Sequence, residues 1–157
     1  MSRQQMTKTE KGQSLLELAL VLVLLLIMLA GVIDLGRMMY EYLTMRDAAQ
    51  EGAGYGAAFP NYCAQIEERV KNNLLDESYT VTVHVNDLLC ADAWNADNVP
   101  GKLPVNGCAG NTLSVTVYHE SEIAMPFISA FTGPSIPMTV VIEDRIVRPA
   151  CDTTPAP

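Results

Sequence analysis

Apolar residues are unevenly distributed along this chain, and the strongest apolar run lies near its N-terminus. Leu18 to Ile33 are sixteen residues without a charged side chain, and Leu15 and Leu16 extend the run to nineteen with Glu17 inside it. At about 1.5 Å of rise per residue, nineteen helical residues cover roughly 28 Å, close to the ~30 Å hydrocarbon core of a bilayer. The pattern predicts a transmembrane helix.

Two other interpretations of this run fit less well. A secretory signal has an apolar region of about 7 to 15 residues that ends in small residues, whereas Met28 and Ala30 precede Gly31 here. A core helix that is apolar on every face needs a large surrounding domain, and only about a hundred residues remain outside the run. The run therefore indicates a single-pass membrane segment, with the lipid bilayer as its first partner.

Basic residues beside the run predict its orientation. Lysine and arginine favour the cytoplasmic side, and three of them precede the run while two follow it. These residues are Arg3, Lys8 and Lys11 before the run, and Arg37 and Arg46 after it. We expect the N-terminus in the cytoplasm, the run in the cytoplasmic (inner) membrane, and the rest of the chain on the extracytoplasmic side.

The apolar pattern changes after Asp34 to that of an amphipathic helix. Apolar residues then recur at steps of three and four, at Leu35, Met38, Met39, Tyr42, Met45, Ala49 and Ala53. No proline occurs before Pro60, so one helix is expected from about Ser14 into the low fifties, with its outer part forming a stalk. Gly52, Gly54 and Gly56 then weaken the helical pattern and predict its end.

The remaining residues predict a small α+β domain. A helical pattern at 63–75 is followed by three segments with alternating apolar residues, at 79–85, 112–118 and 136–147. We expect an antiparallel sheet of about three strands, covered by the helix at 63–75 and by the end of the stalk. The expected organisation is a transmembrane helix and stalk at 13–58, an extracytoplasmic domain at 59–148 and a flexible tail at 149–157.

All four cysteines lie on the expected extracytoplasmic side. Cys63, Cys90, Cys108 and Cys151 fit no metal-binding or redox spacing, and an even number outside the cytoplasm indicates two disulfides with three possible pairings. A short loop closes easily, so Cys90 is expected to pair with Cys108 and, by elimination, Cys63 with Cys151.

Two segments each allow two interpretations. The stretch at 90–108 is rich in Asp, Asn, Pro and Gly and is typical of a loop; it contains Trp94, either packed against its own loop or exposed for contact. The stretch at 125–134 is apolar and is either a short core helix or a hydrophobic contact ridge.

Catalytic and nucleic-acid-binding patterns are absent from the sequence. The net charge is −8 and the ten basic residues are mostly isolated, which argues against phosphate binding. Glycine-rich phosphate loops and the G-x-S-x-G and H-E-x-x-H motifs do not occur. His84, His119 and Glu120 could form a metal site if their strands were neighbours, but no ligand spacing supports one. We expect no enzymatic activity, cofactor, metal or small-molecule substrate.

Glu17 is costly inside an apolar run unless it lies near the interface or has a partner. The stretch KGQSLLELALVLVLLL, residues 11–26, resembles a type IV prepilin processing site, with Gly12 after a basic residue and Glu17 five residues after that glycine. This resemblance implies cleavage by a prepilin peptidase between Gly12 and Gln13, which removes a leader at 1–12. It also implies that Glu17 pairs with the new N-terminal amine of a neighbouring subunit.

The resemblance extends along the stalk. Residues 12–57, including the DAAQEGAGYGA stretch, are similar to the N-terminal segment of TadE-like proteins, which are pseudopilins of the Tad (Flp-type) pilus system. Asp34 stands where the family pattern favours Glu. The resemblance implies a membrane-anchored assembly component that enters or primes a pilus, with other pilins and the Tad assembly platform as partners. The alternative is a single-pass anchored domain that binds a partner outside any pilus, for example through the Trp94 loop.

Overall fold

The computed structural model describes residues 10–95, 107–125, 129–130 and 133–148, with side chains from residue 12 onward and not at residues 94 and 95. It consists of one long helix, a four-stranded antiparallel sheet and two short helices. The α+β class and the long N-terminal helix are confirmed, with one strand more than expected. The Trp94 side chain, residues 126–128 and 131–132, and the tail from residue 149 lie outside the described part.

Helix α1 spans Glu10–Ala58 and is 49 residues long, about 73 Å at the usual rise per residue. Residues 12–29 are exposed, and the part of the helix after them buries one face against the rest of the protein. The buried positions follow helical spacing: Asp34, Glu41, Met45, Ala48, Ala49, Gly52, Ala53, Gly56 and Ala57. Small residues dominate this face, so other elements approach the helix closely.

The helix continues through the three glycines that were expected to end it, because two of them are packing positions. A Cβ at Gly56 would lie 2.7 Å from Leu113 Cδ1 and 3.0 Å from Ile66 Cδ1, and one at Gly52 would collide with Val70. The helix therefore ends at Ala58, shortly before Pro60, rather than in the low fifties.

The sheet has the strand order β2–β1–β3–β4, and every neighbouring pair is antiparallel. Its strands are β1 (Thr80–Val85), β2 (Leu88–Leu89), β3 (Thr112–Glu122) and β4 (Ser135–Arg145). Asn86 and Asp87 both have positive φ and form the two-residue turn between β1 and β2. Sequence patterning missed β2, because two residues are too few to show alternation.

The core lies between the sheet, α1 and helix α2 (Cys63–Asn72). Most of the inward positions expected for the strands are buried: Tyr79, Val83, Val85, Leu113, Val115, Val117, Val140 and Ile146. Four others expected on the same faces are only partly buried: Val81, Ile136, Met138 and Ile142. They pack with Met45 and the alanines of α1 and with Ile66 and Val70 of α2. The predicted cover of the sheet by the helix at 63–75 and the end of the stalk is therefore confirmed.

The disulfide pairing expected from loop length is wrong. Cys63 is bonded to Cys90, with the two Cα atoms 5.8 Å apart. The β1–β2 hairpin turns the chain back, and Cys90 begins the short helix α3 (Cys90–Asn95) beside the start of α2. Cys108 is also disulfide-bonded, and its partner lies outside the described residues. The first six residues of the expected loop are thus helical, and residues 96–106 are not described.

Candidate functional site

The N-terminal half of α1 is an uncovered apolar surface. Mean hydropathy reaches 3.0 in its most apolar window, and none of that window is buried by the rest of the protein. Leu18 and Leu22 are 64% and 54% exposed, and the large apolar side chains between Leu18 and Ile33 are all 49–66% exposed. Within the described part of the chain, α1 alone is long and apolar enough to cross a bilayer. Burying this surface in lipid removes the hydrophobic cost of its exposure, as a single-pass membrane helix does.

The three residues of the predicted processing and pairing site lie together at the start of α1. A Cβ at Gly12 would meet no other atom within 4 Å. The Gln13 side-chain amide donates a long 3.5 Å hydrogen bond to Glu17 Oε1, one helical turn away. Glu17 is exposed on the helix surface. Its carboxylate is therefore open to a group outside this chain, and cleavage after Gly12 stays a prediction.

Two buried carboxylates lie at the outer end of the apolar segment, seven residues apart on one face of α1. Asp34 is 8% exposed and its Oδ2 accepts a 2.9 Å hydrogen bond from the backbone N–H of Met125. Glu41 is 4% exposed and accepts hydrogen bonds from the Ser121 hydroxyl and from Arg37 Nε, the latter at 2.9 Å. These two carboxylates fix the end of β3 onto the helix.

Sequence reasoning had missed both contacts of these carboxylates. Asp34 and Glu41 fall on the same face as Met45, Ala48 and Ala49, so a signal was present: two carboxylates in line with an apolar stripe. The partner of Asp34 follows β3 and is 91 residues away, and the partner of Glu41 is on β3 and is 80 residues away. No local sequence pattern predicts contacts between such distant residues.

A polar groove continues from Glu41 towards β1. His119 Nε2 lies 3.9 Å from Glu41 Oε2, and His119 Nδ1 lies 3.1 Å from the Ser78 hydroxyl. The ring of His119 stacks on Tyr79 with the centroids 4.0 Å apart. Burial raises the pKa of Tyr79, and hydrogen bonds from Ser78 lower the pKa of Asp76. This groove joins the stalk to the sheet through polar contacts.

The metal hypothesis for the two histidines fails on geometry. His84 pairs with Ser114 across the β1–β3 ladder, and His119 lies five positions further along β3. Because side chains alternate between the faces of a strand, His84 and His119 lie on opposite faces of the sheet. Among the described residues no group of three His, Cys, Asp or Glu side chains could hold a metal ion.

The predicted apolar stripe of the stalk is divided between two surfaces. Met45, Ala49 and Ala53 are buried inside the protein's own core. Leu35, Met39 and Tyr42 are 65%, 55% and 41% exposed, at helical steps of four and three. The exposed part continues the lipid-facing surface of α1 beyond Ile33, on a face that the domain leaves open.

Comparison with known families supports the resemblance seen in the sequence. The model of the family described as TadE-like protein matches residues 12–54. No curated protein and no solved structure matches the chain. The matched segment covers most of α1, including Gly12, Glu17, Asp34 and Glu41. Residues 12–54, which are 43 of the 157 residues, are thus similar to the TadE-like family.

Proposed function

We propose that this protein is a TadE-like pseudopilin that a prepilin peptidase processes after Gly12. The single observation that carries the proposal is the family match at residues 12–54, which begins at the glycine of the expected cleavage site. Lys11 precedes this glycine and Glu17 follows it at the fifth position. The chain would reside in the inner membrane with its N-terminus in the cytoplasm and its sheet domain outside.

The exposed surfaces of α1 support a role in assembly. A helix this apolar can leave lipid only if other helices cover it, as they do in a filament or in a complex that starts one. Leu35, Met39 and Tyr42 extend this surface about 14 Å beyond Ile33, at 1.5 Å per residue, where water would otherwise contact it. Other pilin subunits and the Tad assembly platform are the partners that fit this surface.

Glu17 would provide the electrostatic part of this packing. Its carboxylate is exposed and lies in the second turn of the processed helix. A carboxylate in a low-dielectric helix bundle needs a positive partner, and an N-terminal amine freed at Gln13 of a neighbouring subunit supplies one.

N-terminal sequencing of the protein from its native membrane tests the proposal. We expect the chain to start at Gln13 in a strain with a working prepilin peptidase and at Met1 in a strain without it. Gly12→Leu should remain full-length, because a bulky side chain blocks the cleavage position. Gly36→Leu is the matched control, since Gly36 also lies on α1 and a Cβ there would meet no other atom within 4 Å; this variant should be cleaved normally.

Retention of residues 1–12 in wild-type protein, with the peptidase active, would contradict the pseudopilin assignment. The chain would then be a permanently anchored extracytoplasmic domain, and Glu17 would reach the headgroups from a shallow position in the membrane.

A further inference from the structure

The β3–β4 hairpin lies along the outer half of α1, and its connecting end points towards the membrane. At the far end, the Val147 N–H donates a 2.9 Å hydrogen bond to the Ala57 carbonyl. Near the membrane, Ser121 bonds to Glu41 and the Met125 N–H bonds to Asp34. Strand β3 therefore runs towards the apolar segment, in the direction opposite to α1, and β4 runs away from it.

The segment that follows β3 reaches the level of the transmembrane segment itself. The Met125 methyl group lies 3.8 Å from the position of a Cβ on Gly31, which is two residues inside the apolar run that ends at Ile33. The headgroup layers add about 5 to 7 Å on each side of the hydrocarbon core. If Ile33 marks the outer edge of this core, Met125 lies at the boundary between acyl chains and headgroups.

The sequence around this end of the hairpin has no charged residues. Twenty consecutive residues between Glu122 and Glu143 contain none, although the protein has 28 Asp, Glu, Lys and Arg residues in 157. The described residues with exposed surface here are small or uncharged, among them Ala124, Ala130 and Pro134.

Four backbone N–H groups of the described residues at this end donate hydrogen bonds, and backbone groups beside lipid need such partners. The Ser129 N–H donates to the Met125 carbonyl and the Gly133 N–H to the Ser129 carbonyl, at 3.1 and 3.0 Å. The Ile123 N–H donates to the Pro134 carbonyl. Asp34 accepts from the Met125 N–H, a donor at the very edge of the apolar segment.

We propose that the membrane end of the β3–β4 hairpin is a second contact with the bilayer, made by the exposed Ala124 and Ala130 and the partly buried Ser129. Met125 is 8% exposed and joins this end to α1. This end lies in the outer headgroup layer beside α1, and Asp34 holds it at that depth through Met125. The partner is the lipid surface, because this end is continuous with the membrane-spanning face of α1. The proposal rests on the membrane anchoring of α1 and does not depend on a role in a pilus.

Tryptophan fluorescence in vesicles tests this contact. Trp94 is the one tryptophan of the chain, so Trp94→Phe provides a background without tryptophan emission. In this background the full chain carries Ala130→Trp, or Arg145→Trp at the exposed far end of β4 as the control. In phosphatidylcholine vesicles with acyl chains brominated near the headgroups, we expect Ala130→Trp to lose about half of its emission, as for a side chain buried ~5–10 Å in the interface. Arg145→Trp should be unchanged, and equal emission loss or none at both sites would overturn the proposal.

A second measurement avoids adding tryptophan, which itself prefers the interface. The unmodified chain, labelled at its alanine methyl groups, is placed in nanodiscs that contain a lipid with a gadolinium-chelating headgroup. We expect broadening of the Ala124 and Ala130 signals, as for Ala30 in the span, while Ala64 on α2 stays sharp. Broadening of Ala30 alone would refute the hairpin contact and leave the anchor intact, and no broadening at Ala30 would refute both.

Discussion

The Ser121 hydroxyl donates a 2.5 Å hydrogen bond to the carboxylate of Glu41, although 80 residues separate them in the sequence. Both side chains are buried, Ser121 completely. Removing Glu41 takes away the acceptor of the buried Ser121 hydroxyl, and a buried polar group that loses its hydrogen bond destabilises the folded state. This contact therefore stabilises the attachment of the sheet to the stalk.

We expect Glu41→Ala to lower the free energy of unfolding by about 2 to 3 kcal/mol, the usual cost of losing a buried hydrogen bond to a charged group. Glu51→Ala is the matched control, because Glu51 is also on α1 but its ion pair with Arg69 is half exposed. It should cost less than about 1 kcal/mol. Denaturant unfolding of the full chain in detergent micelles measures both. Equal decreases in the free energy of unfolding for the two variants would show that the Glu41 hydrogen bonds contribute little to stability.

Two glycines of α1 predict opposite changes in the free energy of unfolding. Gly56→Ala places a methyl group against Leu113 and Ile66, and overpacking of this kind costs about 1 to 3 kcal/mol. Gly54→Ala meets no atom within 4 Å and should stabilise the helix by roughly 0.5 to 1 kcal/mol. Thermal unfolding of both variants is the measurement, and a stabilised Gly56→Ala would contradict the packing described here.

The cysteine pairing predicts the products of non-reducing peptide mapping. We expect one linked peptide pair that contains Cys63 and Cys90. We also expect Cys108 to be linked to Cys151, the remaining cysteine of the sequence. Cys63→Ser should leave Cys90 as a free thiol that alkylating reagents detect after unfolding, with Cys108 still bonded. A peptide pair that links Cys90 to Cys108 would contradict the bond between Cys63 and Cys90 and support the pairing expected from loop length.

The two surfaces of the stalk predict different failures when a charge is introduced. Met39→Lys changes an exposed position, so the protein should insert, fold and accumulate normally but fail to enter sheared filaments or cross-linked complexes. Met45→Lys puts a charge in the core and should reduce the amount of folded protein instead. Immunoblots of membranes and of sheared filaments separate the two effects. Normal assembly of Met39→Lys would favour the anchored-domain alternative.

Glu17 gives a prediction that follows from the proposed amine pairing. Glu17→Ala should be cleaved after Gly12 like the wild type, because the peptidase acts on the residues around the glycine. Its recovery in filaments or cross-linked complexes should fall sharply, since loss of one partner of a buried ion pair costs about 3 to 5 kcal/mol. Glu17→Asp, which keeps the charge, should recover part of the assembly. Unimpaired assembly of Glu17→Ala would show that the carboxylate has no such partner.

Local periodicity explains which parts of the fold could be predicted from the sequence. The inward faces of β1 and β3 follow from strict alternation at Val83 and Val85 and at Leu113, Val115 and Val117. The outer half of α1 was also predictable as a helix, but the stripe did not show which apolar residues face the core. That division depends on where the sheet packs, which a helix-period pattern does not encode.

The misjudged features depend on contacts between distant parts of the chain. The bond between Cys63 and Cys90 forms because the short β1–β2 hairpin reverses the chain at Asn86 and Asp87. The argument from loop length favoured Cys108 as the partner of Cys90 because it assumed that the stretch after Cys90 is unstructured. Asp34 and Glu41 likewise gain their roles from partners on β3 and in the segment that follows it, so the sequence alone could mark them as unusual but could not say what they bind.

The parallel arrangement of the β3–β4 hairpin and α1 determines how the protein responds to a mechanical load. Contacts from Asp34 near the bilayer to Ala57 at the far end are spread along the same helix axis. A force that draws α1 out of the membrane along this axis loads these contacts in shear, so they must yield together rather than one after another. Extraction would therefore move the stalk and the sheet as one unit. In the proposed pilus role, a pull on the membrane helix would then not unfold the domain it carries.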